Sequence, residues 1–116
     1  MKEHHTLLIV GGGAAGVSVA NNMRRMNKDI DIAIIEPSDK HYYQAAFTIV
    51  GGGEYTLKQA TRNEADLIHS SVKWVKNYVE SFQPEDNAVT LKSGESLSYE
   101  YLVVCPGFQL DWDKIA

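Results

Sequence analysis

The sequence predicts an α/β fold: a βαβ unit built on a parallel sheet, followed by a small antiparallel β element. Three observations predict it. Residues 6–10 (TLLIV) form a short, almost wholly apolar run, as expected of a strand covered on both faces. Residues 14–27 place Val19, Met23 and Met26 at helical spacing, and residues 31–35 (DIAII) supply a second apolar run. The second half alternates strand formers with clusters of turn residues.

Taken in order, the first strand ends at Gly11. The helix after it carries Val19, Met23 and Met26 with Ala20 beside them on one face, and Asn21, Arg24 and Arg25 away from it. The second strand closes at Glu36-Pro37, because proline cannot continue a central ladder. Strand, helix and strand occupy about 30 residues, the size of one βαβ unit. Residues 41–53 (HYYQAAFTIVGGG) end in a second glycine triplet, Gly51-Gly52-Gly53, which is neither preceded by a strand nor followed by a helix and reads as a flexible loop. A short helix is expected around residues 63–68. Residues 72–82 carry the strand formers Val72, Trp74, Val75, Tyr78 and Val79, and 83–87 is rich in turn residues. Residues 88–91 return as a strand, Ser93-Gly94 turns, and 101–105 run extended into Pro106-Gly107.

The composition fits one globular domain. At 116 residues, 44% hydrophobic and 22% charged, the chain can bury a single core. A net charge of −4, with no basic run beyond Arg24-Arg25, argues against a nucleic-acid partner. Lys2 and the apolar run from Leu7 resemble a secretion signal in outline, but Glu3 and three adjacent glycines interrupt that pattern. No apolar run reaches the roughly 18 residues of a membrane-spanning helix. A single cysteine, Cys105, forms no internal disulfide and fits a reducing, cytoplasmic setting.

Gly11-Gly12-Gly13-Ala14-Ala15-Gly16 matches GxGxxG. In a Rossmann-like unit the first glycine turns the chain out of the strand, the second lets a pyrophosphate approach the backbone, and the third lets the helix pack closely. The helix start directs free N–H groups and a positive dipole end at the ligand. That dipole is worth only about 0.3–1 kcal/mol to an exposed anion, so several direct N–H hydrogen bonds must supply the rest. Glu36, 20 residues beyond Gly16, stands where a carboxylate accepts from both ribose hydroxyls and repels a 2′-phosphate. FAD and NAD use the same turn. A turn beside the amino terminus and an antiparallel segment after it favour FAD.

Longer blocks add to this motif: IIEPSDKHYYQAAFTIVGGG at 34–53, WVKNYVESFQPEDNAVTLKSGESLSYEYLVV at 74–104 and GFQLDWDKI at 107–115. With them, residues 6–116 resemble the amino-terminal FAD-binding segment of sulfide:quinone oxidoreductases, within the wider pyridine nucleotide-disulfide oxidoreductase group. The resemblance implies FAD as cofactor, held by the turn of Gly11, Gly13, Ala14, Ala15 and Gly16, with Glu36, Pro37, Tyr43 and Gln44 along the adenosine-to-flavin path, Val79 beside the adenine and the strand end at Gly107 close to the nucleotide. This chain has Ala45-Ala46 where the family usually has a proline, and Cys105-Pro106-Gly107 where it tends toward Ala-Thr-Gly.

The family's longer proteins pass electrons from sulfide to a quinone and carry redox cysteines, a second nucleotide-binding domain and later membrane-associating elements. The resemblance therefore implies an incomplete FAD-binding domain, a portion of a longer flavoprotein whose share is binding, with no catalytic residue and no metal ligand among residues 1–116. The turn also admits two other readings: an NAD-binding dehydrogenase domain, or a non-catalytic nucleotide-binding module that pairs with another chain. A chain of this length standing alone would leave a sheet edge open and favour self-association. Cys105 reads as a small apolar side chain, His4 and His5 as part of a mobile terminus, and His69 as a surface residue. His41 lies in the segment that the resemblance brings near the flavin, and Trp74 and Tyr78 read as packing.

Overall fold

The computed structural model describes residues 3–108 and 111–115. Its strands are β1 (Glu3–Val10), β2 (Ile32–Ile35), β3 (Lys40–Tyr42), β4 (Thr61–Asn63), β5 (Lys73–Val75), β6 (Val79–Gln83), β7 (Ala88–Leu91) and β8 (Ser96–Val104). The helices are α1 (Ala14–Met26), α2 (Phe47–Gly51) and α3 (Glu64–Leu67). Six strands form one sheet in the order β5-β2-β1-β8-β7-β6, and β3 pairs with β4 in a small antiparallel ribbon. β5, β2, β1 and β8 run parallel, while β7 pairs antiparallel with both β8 and β6. The architecture is the α/β fold expected, with the antiparallel element joined edgewise to the parallel sheet.

Strand alternation divides the core in two. Leu7 and Ile9 of β1 point to the face covered by α1, joining Val17, Ala20, Ile32, Ile34 and Val72. Leu8 and Val10 point the other way, against Ala33, Ile35, Val89, Leu91, Leu97 and Tyr99. β1 has no polar residue from Leu7 to Val10 because both of its faces are covered. Each such side chain contributes about 1.5–3 kcal/mol by leaving water.

Four expectations are corrected. β1 begins at Glu3 and not at residue 6, because β8 extends back to Ser96 and pairs with its first residues. His5 is buried in that extension, its ring 2.9 Å from an Asp31 oxygen and 2.7 Å from a Glu3 oxygen. Lys73 and His5 together hold the Glu3 carboxyl below its ordinary range. Residues 72–82 are two strands on opposite edges of the sheet, separated by a turn in which the Asn77 side chain accepts from the Tyr78 N–H. Gly51 closes α2, so only Gly52 and Gly53 of the second triplet form the turn beyond it.

The fourth correction concerns the face of α1. Its buried residues are Gly16, Val17, Ala20 and Arg24, and Val19 and Met23 pack half-buried against the same core as expected, whereas Met26 is 79% exposed. Small residues at 16 and 20 let the helix lie close to the sheet, and this sets the rotation of everything after them. Arg24, 9% exposed, ties the end of the helix down by donating to the carbonyls of Asn27, Lys28 and Ser71. Arg24→Ala is expected to cost about 1.5–3 kcal/mol, since it removes a largely buried charged donor from three carbonyls. Met26→Ala should stay within about 0.5 kcal/mol. Urea unfolding of the two variants checks this, and equal losses would return Met26 to the packed face.

Candidate functional site

The loop from β1 into α1 leaves the strand at Gly11, whose φ of +106° lies where side chains are strained. A Cβ there would also collide with the Cys105 carbonyl at the end of β8. The turn is thereby pinned between the ends of two neighbouring parallel strands, an arrangement reinforced by the Cys105 N–H donating to Val10 O at 2.8 Å. At Gly16 a Cβ would overlap the Gly11 carbonyl oxygen and press on Ile9. Gly13 differs: nothing lies within 4 Å of where its Cβ would stand. Two glycines of the motif are thus required by the protein's own packing, and the third faces open space.

That open space lies at the start of α1. Gly13 is the N-cap, it offers no side-chain cap, and the first turn holds no acidic residue. The leading N–H groups, around exposed Ala14 and Ala15, have no intrahelical acceptor by construction of the helix. An anion is the natural partner of such an end.

Glu36 follows β2 and is fixed at four points. Its N–H donates to Val75 O at 3.0 Å, and its carbonyl accepts from Trp74 Nε1 at 2.9 Å. Its Oε1 accepts from the Gly12 N–H at 2.8 Å and its Oε2 from the Ser38 N–H at 2.9 Å. Each oxygen keeps acceptor capacity for further donors. Trp74 therefore serves as more than packing.

A cavity of about 360 Å³ opens beside this carboxylate, lined by Gly11, Glu36, Pro37, Val79, Phe82 and Gly107 among others. Its size falls in the range of small-molecule sites. It sits beyond the carboxyl ends of β1 and β8, where the strand order reverses direction from β1, the position at which open α/β sheets take ligands. Of the expected site residues, Gly11, Glu36, Pro37, Val79 and Gly107 line this cavity. Gly13, Ala14, Ala15 and Gly16 lie at the adjoining helix start. Tyr43 and Gln44 do not line it; they follow β3, with Tyr43 exposed and its N–H donating to Ala60 O.

One residue beneath the turn, Glu64, went unread in the sequence, as did the task of Gly12 within the turn. Gly12 has no room for a side chain, since a Cβ would stand 2.7 Å from Glu64 Oε1 and 2.8 Å from Glu36 Cβ. Glu64, at the start of α3, is only 1% exposed. Its Oε1 finds no hydrogen-bond partner among the described residues, and its Oε2 lies 3.5 Å from His41 Nδ1. His41 is no ordinary loop residue: its Nδ1 donates to the Gly12 carbonyl at 3.2 Å. Burial first, and the Glu36 charge second, push the Glu64 carboxyl up to about 7. The signal that could have found Glu64 is an acidic residue opening a short helix, which alone means only a favourable helix start.

Cys105 is half-buried against the α1-side core, and burial pushes its thiol up, away from the reactive thiolate. His69 accepts from the Ser71 N–H at 3.1 Å and stays at the surface. No helix among the described residues is long and apolar enough to cross a membrane.

The glycine turn at the end of the first strand, the acid at the end of the second and the cleft at the reversal of strand order define a Rossmann-like α/β domain. The chain belongs to the pyridine nucleotide-disulphide oxidoreductase family, which it matches over residues 5–111. It is 45% identical to the mitochondrial sulfide:quinone oxidoreductase of Dictyostelium discoideum, covering 99% of this chain and 26% of that protein. It is 39% identical to the mouse (Mus musculus) mitochondrial sulfide:quinone oxidoreductase, covering 98% and 25%. The crystal structure of the Aquifex aeolicus sulfide:quinone oxidoreductase superposes with a TM-score of 0.77 over 95% of this chain and 25% of that one. At 24% identity that likeness speaks for the fold alone. The chain spans about a quarter of the length of these relatives.

Two outcomes follow from the geometry. Gly16→Ala should fail to reach the native fold or lose several kcal/mol, whereas Gly13→Ala should melt within a few degrees of the parent, as circular dichroism would record. Equal damage from both would contradict the open face at Gly13. For Glu64, the folded-state value lies above the unfolded one. Its contribution is therefore complete below about pH 4.5 and lost as pH rises through about 7. Glu64→Gln should gain on the parent by roughly 2–3 kcal/mol between about pH 5 and pH 8.5, read by urea unfolding at each pH.

Proposed function

We propose that this chain is the FAD-binding portion of a longer flavoprotein oxidoreductase that carries electrons from sulfide to a quinone. The observation that carries the binding role is the pairing of the open face at Gly13 with the fixed Glu36 carboxylate at the lip of one cavity. The similarity to sulfide:quinone oxidoreductases supports the substrate pair, and the span of a quarter of their length supports a portion of a longer protein.

The residues present fit the adenosine diphosphate half of the cofactor. The N–H groups of Gly13, Ala14 and Ala15 would receive the pyrophosphate, and Glu36 would accept from the ribose hydroxyls. Pro37, Val79 and Gly107 would flank the adenosine, with the apolar surface of the cavity excluding water from the base. Gly11 and Gly16 hold the turn in shape. Tyr43 and Gln44, beyond the cavity, would lie toward the flavin end, on a segment that exposes Tyr42, Tyr43, Phe47 and Ile49. The flavin, when bound, would take an electron pair from the donor and release it to the acceptor; the protein would orient and shield it. No side chain of this portion is assigned a catalytic role. Single, unpaired Cys105 supports a reducing, cytoplasmic setting, and any contact with a membrane would belong to other parts of the longer protein.

The test is direct titration. The chain should bind FAD with a flavin absorption band, and Glu36→Ala should weaken that binding by roughly 10- to 100-fold, the loss of one or two charge-assisted hydrogen bonds. Binding of NAD in preference to FAD, or no effect of Glu36→Ala, would overturn the assignment.

A further inference from the structure

We propose that Glu64 is a positioning residue for the glycine turn, which receives a dinucleotide while Glu64 is protonated, so that binding is linked to proton uptake. The inference rests on the reading of this turn as the nucleotide site and deepens it.

The geometry points to this role in three ways. Glu64 is buried below Gly12, with Oε1 2.7 Å from the position of a Gly12 Cβ and no hydrogen-bond partner among the described residues. Gly12 is held on both sides, its N–H by Glu36 Oε1 and its carbonyl by His41 Nδ1, and Glu64 packs between these two partners. His41 Nδ1 stands 3.5 Å from its Oε2, too far for a full bond.

The neighbouring charges do not neutralise an ionised Glu64. His41 from β3 already donates to the Gly12 carbonyl, and Glu36 from the end of β2 repels. Asp39 is engaged by Lys76, Lys40 by the Asn63 side chain, and Arg62 by the carbonyls of Gln59 and Thr61. α1 contributes no acidic group in its first turn, and Asp66, on α3 itself, is exposed. A pyrophosphate arriving at Gly13 adds negative charge one residue along from Gly12, against which the almost fully buried Glu64 carboxyl packs. The complex therefore favours the neutral acid, and binding above neutrality must take a proton from solvent. A neutral Glu64 keeps the packing beneath Gly12 without a third anion beside Glu36 and the phosphates.

The experiment uses FAD and ADP as separate probes, with dissociation constants measured from about pH 6 to pH 9 for the parent and for Glu64→Gln, which keeps shape without a titrating proton. The parent's affinity should fall toward about 10-fold per pH unit above neutrality, relative to Glu64→Gln, whose own dependence reports only the nucleotide's titration. Calorimetry in two buffers of different ionisation enthalpy should show proton uptake by the parent and less by the variant. Parallel pH profiles, or equal proton uptake, would overturn the proposal. ADP binding with the expected profile but no FAD binding would remove the flavin reading and leave this one standing, and a parent that binds neither probe would overturn both.

Discussion

Everything at this site depends on a contact that only glycine permits: the Gly11 backbone lies against the Cys105 carbonyl on one side and under Gly16 on the other. That contact joins the end of β1 to the end of β8 and lets α1 begin immediately above them. Because a side chain at either position would meet backbone and not another flexible side chain, the turn has no cheap way to relax. The positive φ of Gly11 and the close approach at Gly16 therefore fix the direction of α1 before any of its own packing is counted. Arg24 then closes the far end, eight residues after Gly16, where it caps the carbonyls that follow the helix.

The site inherits its order from that joint. With the turn fixed, the Gly12 N–H faces Glu36, and the carboxylate is aligned by backbone donors at Gly12 and Ser38 instead of by flexible side chains. Glu36 is in turn held by β5 through Val75 and Trp74, so the sheet edge is coupled to the cleft. The excursion from β3 to α3 returns beneath the same turn and brings His41 and Glu64 to Gly12. A buried acid with an unpartnered oxygen is costly, and natural structures tolerate few of them. Its position, directly under the glycine turn, places that cost where it can act on ligand binding and not elsewhere in the core.

Much of the fold was legible because its signals are local. The apolar run at Leu7–Val10, the glycine spacing from Gly11 to Gly16 and Glu36 before Pro37 each state their role within a few residues, and the structure places five of the expected residues around one cavity. What escaped reading depends on distant partners. His5 looks like part of a frayed terminus until Asp31 and the first residues of β8 arrive beside it. The face of α1 follows the small residues that touch the sheet, so a periodicity count keeps Val19, Ala20 and Met23 on the packed side but misplaces Met26, which is exposed, and Arg24, which is buried. Glu64 cannot be recognised as buried from its own neighbours, because α3 is four residues long and its burial comes from Gly12, Glu36 and His41.

The central claim is that the Gly13 face and Glu36 form one nucleotide-receiving surface. Amide NMR of the chain titrated with ADP tests it most directly. The account predicts that the shifts concentrate at Gly12, Gly13, Ala14, Ala15, Ser38 and Val79 and saturate together with one dissociation constant. Shifts centred instead on the basic end of α1, around Arg24, Arg25 and Lys28, or spread without saturation, would contradict it.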